Sequence, residues 1–297
     1  MRPGPRSAAL IVIAQFDVVR APVAAEDLLL EIIVAEGWFP DLTHEELVEK
    51  CASWSSVFLK RLVDDLNDRR VDSQHARYDF NSSTDTLIQG ACFAEPNDSE
   101  SVKQAKARRA NHGLYTQFLR SVSPREFEAV CKGVLSLFGC DRPVLTRPSN
   151  DQGIDFHGLL SLRGKLNQEY FLPSIDKNLN IWLVGQAKHY EGVASTPELR
   201  ELAGSVALAR AGVSADDGSA LASLRIRVFD PVFYLFLTTG ELSADSRRLS
   251  RRSGIIVMDG DALAEFLADN EIGVVNDVFE LHDARDWIAL QLSDTSS

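Results

Sequence analysis

The sequence predicts an α/β domain in its C-terminal half, preceded by a mainly helical N-terminal region. Two observations carry the C-terminal prediction. Residues 124–138 repeat apolar side chains at helical spacing, and short apolar runs at 143–146, 154–162, 181–188 and 232–237 have the length of strands. A third observation sets the N-terminal part: residues 26–36, 44–52 and 54–69 each read as a helix.

The bulk numbers bound this picture. A chain of 297 residues points to two domains, and 45% apolar with 25% charged residues is the composition of a globular protein with a sizeable core. The net charge of -12 excludes the broad basic surface of many nucleic-acid binders but leaves a local basic groove open. Cys51, Cys92, Cys131 and Cys140 form no CxxC pair, and the six histidines show no HxxxH spacing, so no zinc site is expected. Cys131 sits in an apolar helical stripe and reads as a buried thiol; reduced thiols fit a cytoplasmic protein. No apolar run is long enough to span a bilayer, so no membrane partner is expected.

From the N-terminus, residues 8–14 are continuously apolar and are expected to form a buried strand; Gln15 and Asp17 interrupt them as a signal core. The helix at 26–36 has acids in its first turn, where the helix dipole favours them, and Gly37 and Pro40 end the pattern. Thr43 and Glu46 have the spacing of a capping box and open the helix at 44–52. The next helix, 54–69, carries Val57, Leu59, Leu62, Val63 and Leu66. Three short helices resemble a helix-turn-helix or winged-helix unit with 53–67 as its recognition helix. Lys60 and Arg61 suit that role, whereas Asp64, Asp65 and Asp68 repel phosphate, and a helical bundle or assembly module is the competing reading. Residues 71–100 read as a loop, a wing hairpin or a linker. Lys103, Lys106, Arg108 and Arg109 fall on a helix reaching Leu119, as a solvated face or a phosphate-contacting rim. The expected division is 1–100, a connecting helix at 101–122, and a second domain at 123–297.

Ser123-Pro124-Arg125-Glu126 is a strong helix start: the serine caps, the proline takes the first helical position, and the glutamate reaches back. Phe127, Val130, Cys131, Val134, Leu135 and Phe138 follow at helical spacing, and Gly139 is the natural stop. Glu128 lies off the centre of that stripe, as a site acid or a solvated carboxylate. Turn formers crowd 149–153, and Asp155 stands near the start of the strand that follows. Residues 163–180 read as a hairpin excursion. The strand at 181–188 is mostly apolar and so central, and Gln186 and Lys188, two apart, project from one of its faces. A carboxylate, an amide oxygen and a nearby ammonium can hold a divalent metal beside a phosphate. A structural salt bridge is the alternative.

Here the residues resemble a family. Phe127-Glu128, then Asp151-Gln152-Gly153-Ile154-Asp155, then Gln186-Ala187-Lys188-His189-Tyr190 are similar to the Mrr-type restriction endonuclease catalytic domain, a branch of the PD-(D/E)xK superfamily in which glutamine often replaces the second acid. The likeness continues through the helix at 197–212, Phe236-Leu237-Thr238-Thr239-Gly240, the strand ending at Met258 and Asp259-Gly260-Asp261-Ala262-Leu263. It covers about 123–270 in the family's order. Two departures stand out: the long gap between Asp155 and Gln186, and Gln152 where the family often has glycine.

The resemblance implies a restriction-endonuclease-like mixed sheet flanked by helices, and a metal-dependent DNA endonuclease active in restriction or defence against foreign or modified DNA. It implies Asp155 as the principal metal ligand, Gln186 and the main-chain carbonyl of Ala187 as further ligands, and Glu128 as a ligand acting directly or through water. Lys188 would orient the attacking water or stabilise charge on the phosphorane. Mg2+ is the implied metal, with Mn2+ as the alternative. His189 and Tyr190 would contact DNA or pack at the strand end. Thr238 and Thr239 would line the cleft or cap a turn. Arg247, Arg248, Arg251 and Arg252 form the densest basic run, a DNA-backbone patch or a solvated helix face. Competing readings are a non-cleaving DNA-binding or assembly module, and an effector subunit of a multi-protein defence system; the implied partners are DNA and either a second copy or a defence-system protein. The tail at 286–297 is expected to fray.

Overall fold

The computed structural model describes residues 2–71, 74–146, 153–162, 179–212, 224–227 and 229–293. The expected hairpin at 163–180 and the Asp151-Gln152 part of the family motif lie almost wholly outside them. The chain divides into two compact units, Met1–Asn111 and His112–Ser297.

The first unit runs α1 (Pro5–Gln15), β1 (Val23–Ala24), α2 (Ala25–Ala35), α3 (His44–Val71), β2 (Tyr78–Asn81), β3 (Thr84–Gly90) and α4 (Glu100–Arg109). Its three strands pair antiparallel in the order β1-β3-β2. Residues 8–14 are helical, not a strand. Pro5 occupies the first turn, where its missing N–H costs nothing, and Ala8, Ala9 and Val12 are buried on one side. A short apolar run has no period of its own to tell strand from helix. The expected helices at 44–52 and 54–69 are one helix. The Thr43–Glu46 capping box opens it, the Ser53 hydroxyl donates to the Lys50 carbonyl at 2.7 Å without breaking it, and Cys51, Phe58, Leu62 and Leu66 form one buried stripe through the junction. The segment 53–67 is therefore the middle and end of a 28-residue helix. Of the loop, wing hairpin or linker expected at 71–100, the structure has a hairpin, β2–β3. The helix expected to reach Leu119 breaks at Ala110-Asn111, and α4 contributes no buried side chain.

The second unit runs α5 (His112–Ser121), α6 (Pro124–Leu137), β4 (Asp141–Leu145), β5 (Phe156–Ser161), β6 (Asn180–Lys188), β7 (Val193–Ala194), α7 (Thr196–Arg210), β8 (Val232–Thr238), β9 (Glu241–Leu242), α8 (Ala244–Ser253), β10 (Ile256–Met258), α9 (Gly260–Asp269), β11 (Val274–Val275), β12 (Val278–Phe279) and α10 (Leu281–Ser293). Five strands form one mixed sheet in the order β10-β8-β6-β5-β4. β10, β8 and β6 are parallel, and β5 and β4 are antiparallel to their neighbours. β6 lies at the centre, as its apolar run predicts.

The two faces follow from the period of two along a strand. Leu183 of β6, with Leu235 and Leu237 of β8, packs under α5, α6, α9 and α10. Trp182, Val184 and Phe236 point to the other face, against Leu199, Leu202 and Val206 of α7. Gly185 is required between them: a Cβ there would meet the Phe156 ring at 2.2 Å and the Leu235 carbonyl oxygen at 2.9 Å. α6 has the expected capping box, with Ser123 accepting from the Glu126 N–H and Glu126 accepting from the Ser123 N–H, and Gly139 follows it at a positive φ of 88°. That backbone bond holds the Glu126 carboxyl below the usual range. The tail does not fray from 286: residues up to Ser293 belong to α10, where Ile288 is buried and the Gln291 carbonyl accepts from the Lys132 ammonium at 2.6 Å.

Candidate active site

β5 and β6 deliver the central residues. The sheet register sets Phe156 opposite Gly185, so Asp155 enters level with the end of β6. Its backbone is held on both sides: its N–H donates to the Gly185 carbonyl at 3.0 Å, and its carbonyl accepts from the Thr146 N–H at 2.9 Å. Its side chain is 8% exposed, and Oδ2 accepts from the Ala187 N–H at 2.7 Å. One carboxylate oxygen is thus docked on the strand that carries Gln186 and Lys188.

Gln186 is 2% exposed, and among the described residues its Oε1 has no hydrogen-bond partner. A buried amide oxygen left unsatisfied costs about 1–3 kcal/mol, so its retention needs a reason. Gly153, at φ +78°, closes over the same side chain: a Cβ there would lie 2.7 Å from the Ser205 hydroxyl and 3.6 Å from Gln186 Nε2. Lys188 is half-buried, and among the described residues its ammonium forms no salt bridge. Its carbonyl ties β6 to β8, accepting from the Thr238 hydroxyl at 2.9 Å and the Thr239 N–H at 3.2 Å.

Glu128 comes from the first turns of α6. Its carboxylate is paired with the Arg125 guanidinium, which also donates to the Thr146 carbonyl at 3.1 Å. Burial, then the charges of Asp155 and Glu128, push the Cys131 thiol well above its ordinary pKa. Arg125 is the residue that sequence reasoning missed. A signal was present: a cation in the first turn of a helix opposes the dipole.

The remaining candidates separate into packed and exposed groups. The His189 ring lies 5.5 Å from that of Phe127, with Nε2 3.1 Å from the Leu119 carbonyl oxygen. The Tyr190 hydroxyl donates to Glu198 at 2.9 Å, and burial followed by that carboxylate raises its pKa. Both threonine hydroxyls clamp the ends of β6 and β8: Thr239 Oγ1 accepts from the Tyr190 N–H and donates to the Tyr190 carbonyl, each at 3.1 Å. Arg247 is paired with Asp259, the cap of α9, at 2.5 Å. Arg248 is exposed beside Asp245, and Arg251 and Arg252 are exposed at the end of α8.

A cavity of about 300 Å³ lies beyond the ends of β6, β8 and β10, but Glu191, Glu241, Asp259 and Asp261 line it with Arg120. None of Asp155, Gln186 or Lys188 does, and the acidic lining opposes a phosphate backbone. No three His, Cys, Asp or Glu side chains gather as a metal group among the described residues. The oxygen donors on β6 and at the start of β5 are instead the Asp155 carboxylate and the Gln186 amide oxygen. That set suits a hard divalent cation that keeps several waters. No helix among the described residues is long and apolar enough to cross a membrane. All four cysteines are buried, and none is in a disulfide.

The second unit is thus a mixed α/β domain built on a five-stranded sheet. Residues 119–215 match the Mrr_cat family model, described as restriction endonuclease. No curated protein matches the chain. Among solved structures it is similar to the MspJI restriction endonuclease in complex with a 27-mer oligonucleotide, with 17% identity, a TM-score of 0.37, and coverage of 69% of this chain and 40% of that one. The DNA modification-dependent restriction endonuclease AspBHI gives 16%, 0.39, 69% and 46%. The restriction endonuclease FokI bound to DNA gives 12%, 0.38, 95% and 46%. The chain spans less than half the length of each.

Proposed function

We propose that the chain is a metal-dependent DNA endonuclease of a restriction system, acting in defence against foreign or modified DNA. The observation that carries this is Asp155 docked on the Ala187 N–H, between a buried Gln186 with an orphaned oxygen and a Lys188 without an ion partner among the described residues. Asp155, Gln186 Oε1 and the Ala187 carbonyl would hold Mg2+ or Mn2+, with Glu128 assisting directly or through water. When bound, that cation neutralises phosphate charge and activates water.

The protein's own groups do the rest. The Ala187 N–H fixes which Asp155 oxygen is turned to the ligand. The Lys188 ammonium, held by a strand whose end is clamped by Thr238 and Thr239, orients the attacking water and stabilises charge building on the phosphorus oxygens. Arg251 and Arg252 supply a backbone-contacting patch. The buried reduced thiols favour a cytoplasmic setting. A second reading, a DNA-binding or assembly module that does not cut, draws support from glutamine in place of the second acid, since one charge fewer weakens metal binding. A second copy or a defence-system partner would then supply what the chain lacks.

The test is nicking and linearisation of methylated and unmethylated plasmid with Mg2+, wild type against Lys188→Ala. Cutting by the wild type alone supports the endonuclease. Equal cutting by both, or none on any substrate, would falsify the catalytic reading.

A further inference from the structure

Arg125 has no place in the roles above, yet it touches the site twice. It sits at the second helical position of α6, where a positive charge opposes the helix dipole. Its guanidinium is 36% exposed and Glu128 23%, so the pair is partly shielded from water. The second contact, on the Thr146 carbonyl, reaches the residue whose N–H holds the Asp155 backbone. The arginine thus joins the helix acid to the strand end that fixes the central acid. Among the described residues the buried Thr146 Oγ1 has no hydrogen-bond partner.

We propose that Arg125 is a positioning residue that competes with the divalent cation for the Glu128 carboxylate. This rests on the endonuclease reading, and on Glu128 serving that centre. A guanidinium on Glu128 Oε2 takes up part of the carboxylate's acceptor capacity and holds its orientation, both of which a cation would use. The guanidinium and a divalent cation, both positive, also repel each other when they share one acid. Arg125 therefore sets the metal affinity of the free protein, and the competition ends when Glu128 turns to the cation. The released guanidinium keeps its tie to Thr146 and presents a donor fork suited to a DNA phosphate.

The test is calorimetric titration of Mg2+ and Mn2+ into the full chain without DNA. Arg125→Gln should bind the cation about five-fold more tightly than wild type, the size of effect that a partly exposed ion pair has on an equilibrium. Arg125→Lys, which keeps the charge and loses the fork, should stay near wild type. Glu128→Gln should bind more weakly than wild type and make the further change Arg125→Gln silent. Thermal melts of each variant show that it is folded. Unchanged affinity in Arg125→Gln would mean the pair is only a helix contact, and weaker affinity would mean Arg125 holds Glu128 in place for the metal; either overturns the proposal. If the wild type binds cation in an Asp155-dependent way while Arg125→Gln has no effect, only this inference fails. If the wild type binds no cation, the endonuclease reading fails with it.

Discussion

Gln186→Met separates what the glutamine costs the fold from what it gives the site. The side chain is 2% exposed, and its Oε1 is buried without a partner. Leaving such an oxygen unsatisfied costs about 1–3 kcal/mol, whereas methionine of similar volume carries no acceptor to desolvate. Repacking against Gly153 and Ser205 returns part of the gain, so a net stabilisation of about 1 kcal/mol is expected. In a unit of this size that raises the melting temperature by roughly 2–4 °C. If Gln186 is the metal ligand proposed above, the same change removes it, and calorimetry should show Mg2+ affinity falling while the melt moves up. A melt lowered by 1 kcal/mol or more would refute the orphaned oxygen. A higher melt with unchanged metal affinity would refute the amide as a ligand.

Three further outcomes follow. Burial lowers the His157 pKa to about 4 from 6.5, so the unfolded chain takes up a proton that the fold refuses. Its contribution is complete above pH 6.5 and is lost as pH falls toward 4, about 2 kcal/mol by pH 5; urea midpoints should fall accordingly and flatten in His157→Gln, and an equal fall in both would remove His157 as the cause. Gly185→Ala drives a methyl into the Phe156 ring and the Leu235 carbonyl, and should destabilise by about 3 kcal/mol in a denaturant titration; an unchanged midpoint contradicts the packing. Reversing Arg251 and Arg252 to glutamate should weaken DNA binding and reduce the salt slope by about 2. Arg247→Ala, which breaks the Asp259 pair, should instead lower stability by roughly 1–3 kcal/mol, and a salt slope altered only by Arg247→Ala would exchange these roles.

Much of the second unit was legible in the chain because its signals are local. Ser123-Pro124-Arg125-Glu126 encodes its own cap, and the apolar run ending in Gln186 and Lys188 announces a central strand with a polar end. The N-terminal errors share one cause. Residues 8–14 are apolar without a period, and Ser53 looks like a stop but bonds back to Lys50 inside a continuous stripe. The docking of Asp155 on the Ala187 N–H depends on strand pairing 32 residues apart, and the bond from Arg125 to Thr146 spans 21. Such contacts leave no periodic trace. The threonine clamp was hidden for the same reason: a Thr-Thr-Gly turn reads as a cap until the partner strand is in place.

The central claim is that cleavage runs through Asp155 and depends on a divalent cation. Single-turnover cleavage of a duplex measured across a Mg2+ titration, for wild type, Asp155→Asn and Lys188→Ala, tests it most directly. The account predicts a wild-type rate that rises with Mg2+ and vanishes with chelator, no saturable response in Asp155→Asn, and a loss of about 10²–10³ in Lys188→Ala at saturating Mg2+. A wild-type rate independent of Mg2+, or an Asp155→Asn curve that overlays it, would contradict the account.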